Sequence, residues 1–154
     1  MSSDPRTAAG SALIAVVVIV SGCGSDGIPL REDPQLLARA QQVIRDGGGP
    51  VLFRELAGGD WDRVHVFPGP PSLELIESDL GARIAVSGSY TPDDGGVIVF
   101  TNNGVVQRAV RLEPYPFDGD LASYGRHVIV QRPHPGAGSL EFVDLLAMRA
   151  PRLR

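Results

Sequence analysis

Residues 97–112 read Val-Ile-Val-Phe-Thr-Asn-Asn-Gly-Val-Val-Gln-Arg-Ala-Val-Arg-Leu. Two runs of β-branched and aromatic side chains flank Asn103-Gly104, the dipeptide that best accepts the two positive φ angles of a tight hairpin turn. The stretch predicts antiparallel strands over 97–101 and 105–112, and so places a sheet at the centre of the fold.

Period-two runs recur on both sides of this hairpin. Trp61 to Phe67 alternates as a strand and is broken by Pro68-Gly69-Pro70-Pro71. Within it, Val64 and Val66 are expected to face the core, with His65 on the other face beside Trp61, Arg63 and Phe67. Arg83 to Tyr90 is expected to join 97–101 through the polar turn Thr91-Pro92-Asp93-Asp94-Gly95-Gly96. Gly125 to Arg132 and Ser139 to Leu145 form a further predicted pair around Pro133-His134-Pro135-Gly136-Ala137-Gly138. Val51 to Leu56 is a short apolar segment that its period does not assign.

Two helices complete the pattern. Asp33 is an N-cap with Pro34 at the first helical position. Leu36, Leu37, Ala40, Val43 and Ile44 then form one apolar stripe, with Arg39, Gln41, Gln42 and Arg45 on the wet side. Gly47-Gly48-Gly49-Pro50 ends it. Ser72 caps a shorter helix that runs through Leu80 and closes at Gly81. The expected class is α+β: an N-terminal amphipathic helix, a mostly antiparallel sheet and a second short helix. With no internal repeat and no second boundary, residues 33–154 are expected to form one domain.

The amino-terminal segment has a different character. Ala12 to Val20 is an unbroken apolar run behind Arg6, followed by Ser21, Gly22 and Cys23, the only cysteine of the chain. A positive start, an apolar core and small residues make an export signal. Even from Ala8 to Gly22 the run falls short of the roughly 20 residues that cross a bilayer. Val20-Ser21-Gly22-Cys23 resembles the lipobox of bacterial lipoproteins. That resemblance implies a diacylglyceryl group on the Cys23 thiol, removal of residues 1–22, and a protein anchored at the extracytoplasmic face of the cell membrane. Residues 23–32 then read as the lipidated cysteine and a flexible tether.

Composition narrows the chemistry. With its one thiol acylated, the domain has no disulfide and depends on packing. The formal net charge is −4, which argues against nucleic acid and against adhesion to anionic lipids by charge. Every basic residue is arginine, so Schiff-base chemistry on lysine is excluded. The arginine bias also resembles proteins of GC-rich bacteria such as actinobacteria.

Candidate sites are sparse. His65, His127 and His134 belong to no metal-binding spacing, and no Gly-x-Ser-x-Gly elbow is present. The triple glycine at Gly47 follows a helix, whereas a phosphate cradle precedes one. Asp60 and Asp62, Asp93 and Asp94, and Asp118 and Asp120 read as turn residues. The expectation is no catalytic residue, no metal and no cofactor.

Trp61-Asp62-Arg63-Val64-His65-Val66-Phe67, with Pro71 and Ser72 beyond it, resembles a Trp-Asp-x-Val-x-Val/Ile-Phe signature of small exported proteins and lipoproteins of Gram-positive bacteria. It implies a fold and carries no catalytic residue, and the plainer account of Trp61 and Phe67 is that they staple this strand to the first helix. The expected role is a non-enzymatic binding module for an envelope protein or a cell-wall partner. Its surface is sought around Trp61, His65, Tyr115, Pro116 and Phe117, since aromatic residues enrich interfaces. Two rivals stand beside it. One is a hydrolase or metal enzyme using His65, His127 and some of the aspartates. The other is a tethered inhibitor or immunity-type protein presenting 91–96 or 113–119.

If Cys23 carries the anchor, Cys23→Ala should shift the protein from the membrane to the soluble fraction. Mass spectrometry of the native material should find acylated Cys23 as its first residue, and an unprocessed soluble chain would refute the assignment.

Overall fold

The computed structural model describes residues 27–69, 71–87 and 95–146. In chain order the elements are β1 (Ile28–Glu32), α1 (Pro34–Arg45), β2 (Val51–Leu52), α2 (Phe53–Ala57), β3 (Arg63–Phe67), α3 (Leu73–Leu80), β4 (Ile84–Ala85), β5 (Gly96–Asn102) and β6 (Val105–Leu112). They continue with β7 (Phe117–Asp118), β8 (Ala122–Gly125), β9 (Val128–Gln131) and β10 (Leu140–Asp144). The fold is α+β. Among the described residues no helix is long and apolar enough to cross a membrane.

Six strands form the larger sheet in the order β4-β1-β6-β5-β3-β8, and four form a smaller one, β2-β9-β10-β7. Most pairings are antiparallel, but β1 runs parallel to both β4 and β6, and β7 runs parallel to β10. The β5–β6 hairpin turns at Asn103 and Gly104 with φ of 50° and 76°, the double positive φ that the Asn-Gly pair tolerates. A register shift at Phe100/Thr101 adds a bulge near that end.

The helix ends follow local chemistry. Asp33 accepts a hydrogen bond from the Leu36 amide at 2.9 Å, with Pro34 opening α1. Ser72 caps α3 through the Leu75 amide, and Gly81 closes it in the left-handed conformation. Arg132 reaches back from the end of β9 to bond the Ile44 carbonyl near the end of α1, where its amide also donates to the Gly48 carbonyl at 2.8 Å.

Two apolar layers hold the sheets. On one face of the larger sheet, Val64, Val66, Ile98, Phe100, Val110 and Leu112 pack with Leu36 and Ala40 of α1, Phe53 and Leu56 of α2, and Val128, Val130 and Leu140 of the smaller sheet. Phe53 is the hub: its ring lies 4.9–6.1 Å from those of Trp61, Phe100, Phe117 and Phe142. On the other face, α3 lays Ile76 over Phe67, Val97, Val99, Ala109 and Ile84. Covered on both faces, β5 is apolar without alternation, as central strands are.

Several expectations are corrected. Residues 28–32, read as tether, are strand β1. Hydrogen bonding to β6 and β4 outweighs the low apolar content of Ile-Pro-Leu-Arg-Glu. The expected strand 83–90 reduces to Ile84–Ala85 within the described residues, and it pairs with β1 rather than with β5. Both edges of β5 are already taken by β3 and β6. Residues 88–94, with most of the expected turn, lie outside the described residues. The unassigned segment after Pro50 folds as β2 and the single-turn helix α2. Trp61 lies with Val64 in the first layer, because β3 begins only at Arg63 and its alternation does not extend to Trp61.

Removing the hub ring leaves a cavity between both sheets and α1. Phe53→Ala should lower stability by about 3–5 kcal/mol. Val105→Ala, at a side chain 62% exposed, should shift it by less than about 0.5 kcal/mol. Equal urea midpoints for the two variants would refute the assignment of the hub.

Candidate functional site

His65 sits in the middle of β3, on the face covered by α3. Its Nε2 lies 3.4 Å from the Thr101 hydroxyl on β5, and its Nδ1 lies 3.8 Å from an Asp79 carboxylate oxygen on α3. Asp62, Arg63, Leu80 and Gly104 complete the walls of a cleft of about 200 Å³. Burial holds the His65 pKa below its ordinary 6.5, and the Arg63 guanidinium pushes the same way. Asp79 and Asp62 partly oppose them.

A hydroxyl, an imidazole and a carboxylate stand in line here, and together they tie β5, β3 and α3. Both contacts exceed the 2.6–3.2 Å over which a base takes a proton directly. Thr101 is 4% exposed, and its hydroxyl also faces the Arg63 carbonyl at 3.5 Å. Asp62 is occupied as well, accepting the Asn103 amide at 2.8 Å and so bracing the hairpin turn.

The other histidines lie elsewhere. His127 is exposed in the turn between β8 and β9, and His134 is exposed between β9 and β10, beside the Pro135 carbonyl. Among the described residues no group of three His, Cys, Asp or Glu side chains could hold a metal ion. Asp60 faces Arg126 at 4.0 Å, and Asp118 accepts the Ser139 hydroxyl. The convergence that a hydrolase built on His65, His127 and aspartates requires is not formed by the described residues. Asp93 and Asp94 lie outside them.

The aromatic patch sought in the sequence is not one exposed surface. Trp61 and Phe117 are 2% and 3% exposed in the core, and the Trp61 indole donates to the Gly58 carbonyl at 3.0 Å. Pro116 is buried. Tyr115 lays its ring against Gly96, where any Cβ would come within 2.4 Å of it, and against Phe117. Its hydroxyl is buried without a hydrogen-bond partner among the described residues, and burial pushes its pKa up. Of the five residues, His65 borders a cleft formed by described residues. Large apolar rings served the core better than an interface.

The larger concave surface escaped the sequence reading. Two clefts of about 410 and 440 Å³ flank the start of α1 and share Glu32 and Asp33. Arg31, Gln107 and Arg108 line the first; Leu37, Arg111, Glu113 and Pro114 line the second. Arg108 is fixed in place. It stacks 4.1 Å over Phe100, donates to the Ala57 carbonyl at 2.6 Å and faces Asp33 at 3.6 Å. The available signal was Gln107, Arg108 and Arg111 interrupting an otherwise apolar strand.

In comparisons with known proteins, no family model matches the chain, and neither does any curated protein or solved structure.

A depressed His65 pKa makes stability depend on pH. The unfolded chain binds a proton near pH 6.5 that the folded chain resists, so stability is fully present above that value and falls as pH drops below it. Urea midpoints of the natural protein should therefore fall more than those of His65→Gln between about pH 7 and 5.5. Identical profiles would refute the assignment.

Proposed function

We propose that this chain is a lipid-anchored protein of the bacterial envelope whose α+β domain is a non-enzymatic binding module outside the cytoplasmic membrane. The observation that carries the reading is a juxtaposition along the chain. The sheet begins at Ile28, directly after the lipobox-like Val20-Ser21-Gly22-Cys23. A signal cut before Cys23 would remove no part of the described fold, and acylation there would place the anchor beside a strand that bonds on both sides. Two acyl chains on one residue suffice for stable anchoring, whereas a single chain is marginal.

The partner surface in this reading is the paired groove beside α1. Its guanidinium groups (Arg31, Arg108, Arg111) alternate with carboxylates (Glu32, Asp33, Glu113) over an apolar floor. Such a surface suits a mixed-charge segment of an envelope protein or of the cell wall. Selectivity would come from charge complementarity more than from buried area. For the inhibitor reading, Pro116 and Phe117 of 113–119 are buried while Pro114 is exposed, and most of 91–96 lies outside the described residues.

Arg31 is an exposed wall residue of the groove. Crosslinking in intact cells, followed by capture from detergent-solubilised membranes, should recover a specific partner with the natural protein. Arg31→Glu should reduce that recovery about tenfold, a difference of roughly 1.4 kcal/mol. Equal recovery with both proteins would overturn the groove as the binding surface.

A further inference from the structure

We propose that the end of the larger sheet carrying the Asn103–Gly104 hairpin faces the lipid head groups, so that the domain is held in one orientation on the bilayer. This rests on the reading that Cys23 is acylated. The argument is one of length and place. Only Gly24, Ser25 and Asp26 separate Cys23 from Gly27, so even a fully extended chain spans about 14 Å. Gly27 meets the sheet at a tight joint. A Cβ there would lie 2.8 Å from the Arg83 carbonyl oxygen, and that oxygen accepts the Ile28 amide at 2.7 Å.

Register says which end this is. Leu30 pairs with Ala109, Ala109 with Val99, Val99 with His65, and His65 with Ser123. Ile28, two residues before Leu30, is therefore level with Arg63 and Thr101, and the hairpin turn lies just beyond. Gly96, Phe67, Leu112 and Ala122 lie toward the opposite end. The seven residues of β5 make the sheet roughly 20 Å tall. An inverted domain would have to lift Gly27 by that height, and the link is too short.

The hairpin end also presents a mixed-charge rim with an exposed apolar side chain. Around this rim stand Arg63, Arg83 and Arg126 with Asp60, Asp62, Asp79 and Glu77, whose carboxylate accepts the Ile84 amide at 2.8 Å. Val105 stands 62% exposed beside the turn, an apolar side chain placed for the head-group zone. The His65 cleft then lies on the membrane side, while the second of the two clefts, around Glu32, Asp33, Arg111 and Glu113, lies toward the end away from the bilayer, and the first runs along β1 between the two ends.

The test uses the acylated full-length protein in vesicles of phosphatidylglycerol and phosphatidylethanolamine. With Cys23 acylated, Val105→Cys and Leu121→Cys each supply one free thiol, at opposite ends and at exposed positions. A fluorophore at 105 should be quenched several-fold more by head-group spin-labelled lipid than one at 121. Inserting about 12 Gly/Ser residues after Asp26 adds a coil of roughly 20 Å and should abolish the difference. Co-flotation with the vesicles is scored separately. A protein that floats but shows equal quenching at both sites overturns the orientation alone, and one that does not float overturns the anchor and the orientation together.

Discussion

The Phe53 ring is the contact through which the two sheets and the helices become one packed layer. It meets Trp61 before β3, Phe100 in β5, Phe117 in β7 and Phe142 in β10, segments separated by long stretches of chain. Aromatic pairs at such distances add about 0.5–1.5 kcal/mol each beyond the area they bury. Because no disulfide is available to a chain with one cysteine, this cluster does the work of a covalent staple. Arg108 extends it outward: its guanidinium covers the Phe100 ring and ties β6 to the carbonyl of Ala57 at the end of α2. This wall of the groove is thus the outer surface of the core.

A second constraint comes from β1. Inserted between β4 and β6, it makes the sheet mixed and brings Asp33 beside Arg108 at the start of α1. The groove exists because a strand and a helix N-terminus meet there at a corner that no side chain fills. The same strand fixes where the chain arrives from Cys23. The functional proposals therefore share one structural cause, the pairing of the five residues of β1.

The aromatic residues illustrate how tertiary context reassigns chemistry. Trp61, Tyr115 and Phe117 have the composition of a binding surface, and in the fold they fill the space between sheets. Burying them removes more apolar area from water than an exposed patch could. His65 remains half-open, but its neighbours Thr101 and Asp79 make it a link among β3, β5 and α3. The groove proposed for recognition is instead charged, and its arginines are spread over two strands far apart in sequence.

Local chemistry was legible without any structure. Asn103-Gly104 specifies its own turn, Asp33-Pro34 and Ser72 to Gly81 specify their helix ends, and the α+β class follows from that succession of periods. These features depend on φ preferences and hydrogen bonds within a few residues. The parallel pairing of β1, the role of Phe53, the burial of Phe117 and the groove beside α1 were decided only by the tertiary structure. Each depends on which distant edge or ring is still unpaired once the hairpin has formed, and neighbouring residues carry no record of that.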